Sequence, residues 1–95
     1  MLRSENAGYL NITLAAPTTT VVKGGNGFLD KIQINKGAAT GTITIYDNTA
    51  ASGTIIATIT CGDAIPKTLH FGVKFVTGLT IVTAVAAMDI TVVYG

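Results

Sequence analysis

The run Gly41-Thr-Ile-Thr-Ile-Tyr-Asp47, followed after the Asn48–Gly53 turn by Gly53-Thr-Ile-Ile-Ala-Thr-Ile-Thr60, decides how this chain folds. In the first segment Ile43 and Ile45 alternate with Thr42, Thr44 and Tyr46, the period of two that separates the faces of a β-strand. In the second, Ile55, Ala57 and Ile59 fall on one face. The intervening Asn-Thr-Ala-Ala-Ser-Gly is small and polar, so the two segments read as a hairpin. Lys67–Val76 has the same grammar, with Leu69, Phe71, Val73 and Phe75 facing inward and His70, Gly72 and Lys74 outward.

Further strands follow on either side. Tyr9–Ala15 alternates up to Pro17, and Thr18–Lys23 is a Thr/Val strand. Gly24-Gly25-Asn26-Gly27 supplies a tight turn, because Gly and Asn tolerate positive φ. Phe28–Asn35 places Phe28, Ile32 and Ile34 on one face, interrupted by Asp30, which predicts a bulge or an edge position. Leu79–Ala84 and Met88–Tyr94 read as a terminal hairpin. About eight strands, spaced roughly 8–12 residues apart, predict an all-β antiparallel sandwich. The expected organisation is a short N-terminal arm over residues 1–8 and a single domain over residues 9–95.

Composition agrees. Sixteen Thr, eleven Ile and eight Val make over a third of the 95 residues β-branched, while Glu5 and Gln33 are the only Glu and Gln. Branched side chains are stiff at χ1 and fit a pleated surface better than a helix. Charged residues are 12% and the net charge is +1, which argues against the clustered basic face of a nucleic-acid binder. No apolar run approaches the roughly 18 residues of a membrane helix. The first residues lack the apolar core of a signal peptide, and Cys61 has no second cysteine to pair with. A cytoplasmic origin is the expectation.

Residues for catalysis are sparse. One His (His70), one Cys (Cys61) and two Ser (Ser4, Ser52) give little from which to assemble a nucleophile, a base and an orienting group. The carboxylates Glu5, Asp30, Asp47, Asp63 and Asp89 are scattered singly, without calcium-loop spacing. Asp47 and Asp63 are expected to bond local backbone N–H groups and fix turns. Lys23-Gly-Gly-Asn-Gly27 lacks the Lys-Ser/Thr ending and following helix of a phosphate loop, and reads as a hairpin turn. The expectation is therefore a non-enzymatic protein with no cofactor and no metal.

Gly27–Gly95 resembles the small β-rich virion proteins of tailed bacteriophages. The residues that carry the likeness are Phe28-Leu-Asp-Lys-Ile-Gln-Ile-Asn, Gly41-Thr-Ile-Thr-Ile-Tyr-Asp-Asn, Gly53-Thr-Ile-Ile-Ala-Thr-Ile-Thr, Val76-Thr-Gly-Leu-Thr-Ile-Val-Thr and Asp89-Ile-Thr-Val-Val-Tyr. The resemblance covers about three quarters of the chain and leaves Met1–Asn26 outside it. It implies a jelly-roll-like sandwich that decorates the capsid surface, bridging major capsid subunits and stabilising the head. It also implies a homotrimer made in the host bacterial cytoplasm and found on the virion, without nucleic acid or membrane as partner. Head-fibre, neck or tail proteins share this look, and a glycan- or cell-surface-binding sandwich is the alternative from another class. For contact with the capsid, Leu2, Arg3, Tyr9 and Leu10 of the N-terminal region are the candidate residues.

Overall fold

The computed structural model describes residues 8–14, 18–37, 40–62, 66–84 and 88–95. Eight antiparallel strands fill them: β1 (Gly8–Leu14), β2 (Thr18–Gly24), β3 (Gly27–Lys36), β4 (Thr42–Asp47), β5 (Thr54–Thr60), β6 (Lys67–Phe75), β7 (Gly78–Ala84) and β8 (Met88–Tyr94). β1 starts at Gly8, a residue expected to belong to the arm. The strands form two four-stranded sheets, β1-β8-β3-β6 and β2-β7-β4-β5. The sheets share one core, so the arrangement is that of an all-β sandwich.

The core comes from the alternation. Ile12, Leu29, Ile32, Ile34, Ile90, Val92 and Phe75 are buried from the first sheet, and Ile43, Ile45, Leu79 and Ile81 from the second. In the first sheet Ile12, Ile90 and Ile34 lie in one cross-strand row, because Ile12 pairs with Ile90 and Ile90 with Ile34. Directly opposed residues share a face, so a row of branched side chains packs as a unit. Leu69, Phe71 and Val73 of β6 pack against the same core as expected, with His70, Gly72 and Lys74 exposed.

Two bulges alter the expected faces. The register of β3 against both its neighbours shifts between Leu29 and Lys31. Against β8 the extra residue is Asp30, in an interior strand and not at an edge, because Leu29 and Lys31 oppose the consecutive Tyr94 and Val93; against β6 the longer stretch is on β6, where Phe71 and Gly72 stand between Val73 and His70. The extra residue reverses the phase, so Leu29, and not Phe28, joins Ile32 and Ile34 in the core. In β5 the register shifts opposite Ile45 and Tyr46, and Ile56 is the extra residue. Ile56 packs on the core with Ala57 and Ile59, and Ile55 is turned outward.

Of the expected hairpins, β4–β5 forms, with Thr42 opposite Thr60 and Ile45 opposite Ala57. The others do not. β2 and β3 lie in different sheets, as do β7 and β8, so the Gly24–Gly27 turn crosses between layers and β7 and β8 form no hairpin. Periodicity reports which face of a strand is apolar, not which strand lies beside it. Burying each apolar face against the opposite sheet instead pairs strands far apart in sequence, β1 with β8, β2 with β7 and β3 with β6.

Candidate interaction surface

One end of the sandwich collects the β2–β3 turn, the β4–β5 loop, the β6–β7 turn, the start of β1 and the end of β8. These pieces are tied together. The Gly25 N–H donates to the Thr77 carbonyl at 2.9 Å, and Phe28 and Gly95 exchange backbone bonds at 2.9 and 3.0 Å. Gly25 has φ 84°, which a side chain would oppose. Asn48 closes its own loop by donating Nδ2 to the Ser52 carbonyl at 2.8 Å, and its carbonyl accepts from Thr80 Oγ1 at 2.7 Å.

Asp47 clamps this end. Its Oδ1 accepts from the N–H groups of Val76 at 3.0 Å, Thr77 at 2.8 Å and Gly78 at 3.4 Å, and Oδ2 from Val76 at 3.1 Å. The Thr77 and Val76 donors, with help from Gly78, hold its carboxyl below the ordinary carboxylate value against an opposing effect of burial. Asp47 therefore fixes a turn, as expected, but a turn some thirty residues away and not its own. Asp63 lies outside the described residues.

The clamp presents an exposed apolar residue. Val76, at the tip of the β6–β7 turn, is 74% exposed, and Tyr9, second in β1 on the opposite edge of the first sheet, is 76% exposed. Beside Val76 a cavity of about 360 Å³ is lined by Asn26, Gly27, Phe28, Lys74 and Phe75. β1 starts at this end, with Gly8 opposite Tyr94. Leu10 is half-buried and packs on the core, and Leu2 and Arg3 lie outside the described residues.

The outward faces of the two sheets differ. On the first, Asn11 Nδ2 donates to Asp89 Oδ1 at 2.7 Å, to the Ile90 carbonyl at 3.1 Å and to Thr91 Oγ1 at 3.2 Å. Asn35 Nδ2 donates to the same Asp89 and Thr91 oxygens at 3.2 and 3.0 Å, and Thr68 bonds Gln33. Lys31 and His70 sit opposite each other in the next row. On the second sheet, the outward rows are Val21–Thr80–Tyr46–Ile55 and Thr19–Val82–Thr44–Thr58, followed by Ala84–Thr42–Thr60. These rows carry no charge. Tyr46 and Thr44 are half-buried, whereas Val21 and Ile55 at the two edges are each 52% exposed.

The residues weighed for chemistry are not assembled into a site. Cys61 is buried with its Sγ 3.4 Å from Met88 Sδ, while His70 faces solvent on the outward side of the first sheet. Among the described residues no three His, Cys, Asp or Glu side chains are grouped to hold a metal, and no helix is long and apolar enough to cross a membrane. The signal missed in the sequence was Val76. It continues the alternation of β6 as an outward residue but reads as a strand end and not as an exposed tip. No family model, no curated protein and no solved structure matches this chain.

Proposed function

We propose that this chain is a capsid decoration protein of a tailed bacteriophage. In this role it binds the outer surface of the assembled capsid, bridges major capsid subunits and stabilises the head. The observation that carries this reading is the clamped end of the sandwich, where Val76 stands exposed on the β6–β7 turn held by Asp47; Tyr9 stands exposed on β1, the opposite edge strand of the same sheet. An apolar contact offered on a rigid frame binds with little ordering cost. The candidate arm residues Leu2 and Arg3 precede β1 in sequence, and with Tyr9 and Leu10 they form the proposed capsid contact.

The strand order supports the finer description of the fold. Pairing of β1 with β8, β2 with β7, β3 with β6 and β4 with β5 is what a long hairpin gives when it is folded over into two sheets. We read this pattern as a jelly roll, an architecture shared by viral capsid and lectin domains. The protein acts as a homo-oligomer, three copies being the number the resemblance implies. Several copies joined in one particle engage several capsid sites at once, so modest contacts sum to tight retention.

Co-sedimentation tests the proposal. The protein is expected to pellet with expanded, protein-stripped capsids of the parent phage and to remain in solution with unassembled capsid subunits. Absence from the capsid pellet would refute decoration.

A further inference from the structure

We infer that copies of this chain join head to tail through the two edges of the second sheet, the β5 edge of one copy against the β2 edge of the next, and that the chain of contacts closes into a ring. Ile55 of one copy packs on Val21 of its neighbour.

The two residues are placed for this. Val21 pairs with Thr80, Thr80 with Tyr46, and Tyr46 with Ile55, so Val21 and Ile55 end the same cross-strand row at opposite edges of one sheet. Both are 52% exposed. Ile55 owes its outward position to the bulge at Ile56, since unbroken alternation from Ala57 would turn it into the core. A bulge that re-aims a large apolar side chain into solvent is the kind of local irregularity sheets carry at functional edges.

Direction and charge fit as well. β2 runs toward the clamped end and β5 runs away from it, so neighbours related by rotation about the strand direction bring these edges together antiparallel. Setting Ile55 opposite Val21 then continues the row from one copy to the next. β5 carries no charge, Pro or Gly along its seven residues, and edges without charge or Pro invite pairing; β2 carries Lys23 and Gly24 only at its clamped end, beyond the register shift at Val22. The β6 edge of the other sheet is defended by Lys67 and Lys74, with Gly72 at φ 62°. A contact between two different edges cannot satisfy itself in a pair of copies; it runs on as an open filament or closes into a ring, and the ring is the form inferred.

The inference rests on the self-association in the proposed function, and the two fail separately. A strictly monomeric protein that still pellets with capsids refutes the edge contact alone, and a ring that ignores capsids refutes decoration alone. Sedimentation equilibrium of the wild-type protein is expected to show one closed assembly of three or more copies. Ile55→Lys and Val21→Lys, each checked for unchanged far-ultraviolet circular dichroism, are expected to weaken it at least tenfold, whereas Thr68→Lys on the β6 edge leaves it intact. Under mild oxidation, a mixture of Val21→Cys and Ile55→Cys chains is expected to give a covalent heterodimer, and neither variant alone a covalent dimer. A monomer or simple dimer at millimolar concentration, an assembly indifferent to Ile55→Lys, or crosslinking of either variant to itself would overturn the inference.

Discussion

Replacing Ile90 by Ala and Ile55 by Ala removes the same atoms from two strands of one molecule, and the structure requires opposite results. Ile90 is fully buried, between Ile12 of β1 and Ile34 of β3. Losing three carbons from that row forfeits about 2.4 kcal/mol of transfer free energy, at about 0.8 kcal/mol for each. The space left behind adds about 1 kcal/mol if roughly 40 Å³ stays open, at about 24 cal/mol per Å³. A total of about 3.5 kcal/mol is a third or more of the stability of a domain this size, about 5–10 kcal/mol. The corresponding fall in Tm is roughly 14–28 °C. Ile55 is half in solvent, and its truncation changes the stability of the single chain by no more than about 0.5 kcal/mol. Urea unfolding at low protein concentration, with the slope unchanged, separates the two. A loss below about 1 kcal/mol for Ile90→Ala, or equal losses for both variants, would refute the placement of the core and of the β5 bulge.

Asp47→Asn is expected to lower the urea midpoint at neutral pH, because the carboxylate that accepts from Val76, Thr77 and Gly78 is lost. Since the native carboxyl titrates below its ordinary value of 3.8, its contribution is present above that pH and fades as the pH falls through the native pKa. The wild-type and Asn curves should therefore converge in acid, and a constant gap across pH would contradict the clamp. Gly78→Ala sets a Cβ 2.9 Å from the Asn48 carbonyl oxygen and 3.0 Å from that of Lys23. Backbone cannot yield as a flexible side chain does, so thermal unfolding is expected to report a loss of about 1–3 kcal/mol. Cys61, buried against Met88, is expected to resist a thiol reagent in the native protein and to react in denaturant; labelling at the same rate in both would place it at the surface.

The strands were legible because β-branched residues alternate over enough positions to mark each one, as in Gly41–Asp47 and Lys67–Val76. Their faces were legible except where a residue is inserted. Asp30 betrayed its bulge by putting a charge in an apolar row. Ile56 did not, because Ile55 and Ile56 are the same side chain and either one satisfies the pattern. Sheet order was not legible, since alternation describes a strand and not its neighbour. Hairpins were expected at Gly24–Gly27 and between β7 and β8 for that reason; each pair of strands lies in different sheets. The clamped end was half legible: Asp47 beside Asn48 announced a turn-fixing carboxylate, but its partners at Val76–Gly78 are brought to it by the fold. Tyr9 was marked as exposed by its position in β1, but its place on the edge strand opposite β6 emerged only once β1, β8, β3 and β6 were ordered in one sheet.

The central claim is that this two-layered sheet is a part that holds other protein surfaces together. Scanning calorimetry of expanded capsids, stripped of surface proteins and then saturated with this chain, measures that directly. A rise in the temperature of shell dissociation, reduced by Val76→Asp while the variant keeps its own Tm, is the predicted result. An unchanged dissociation temperature at saturation would contradict the claim.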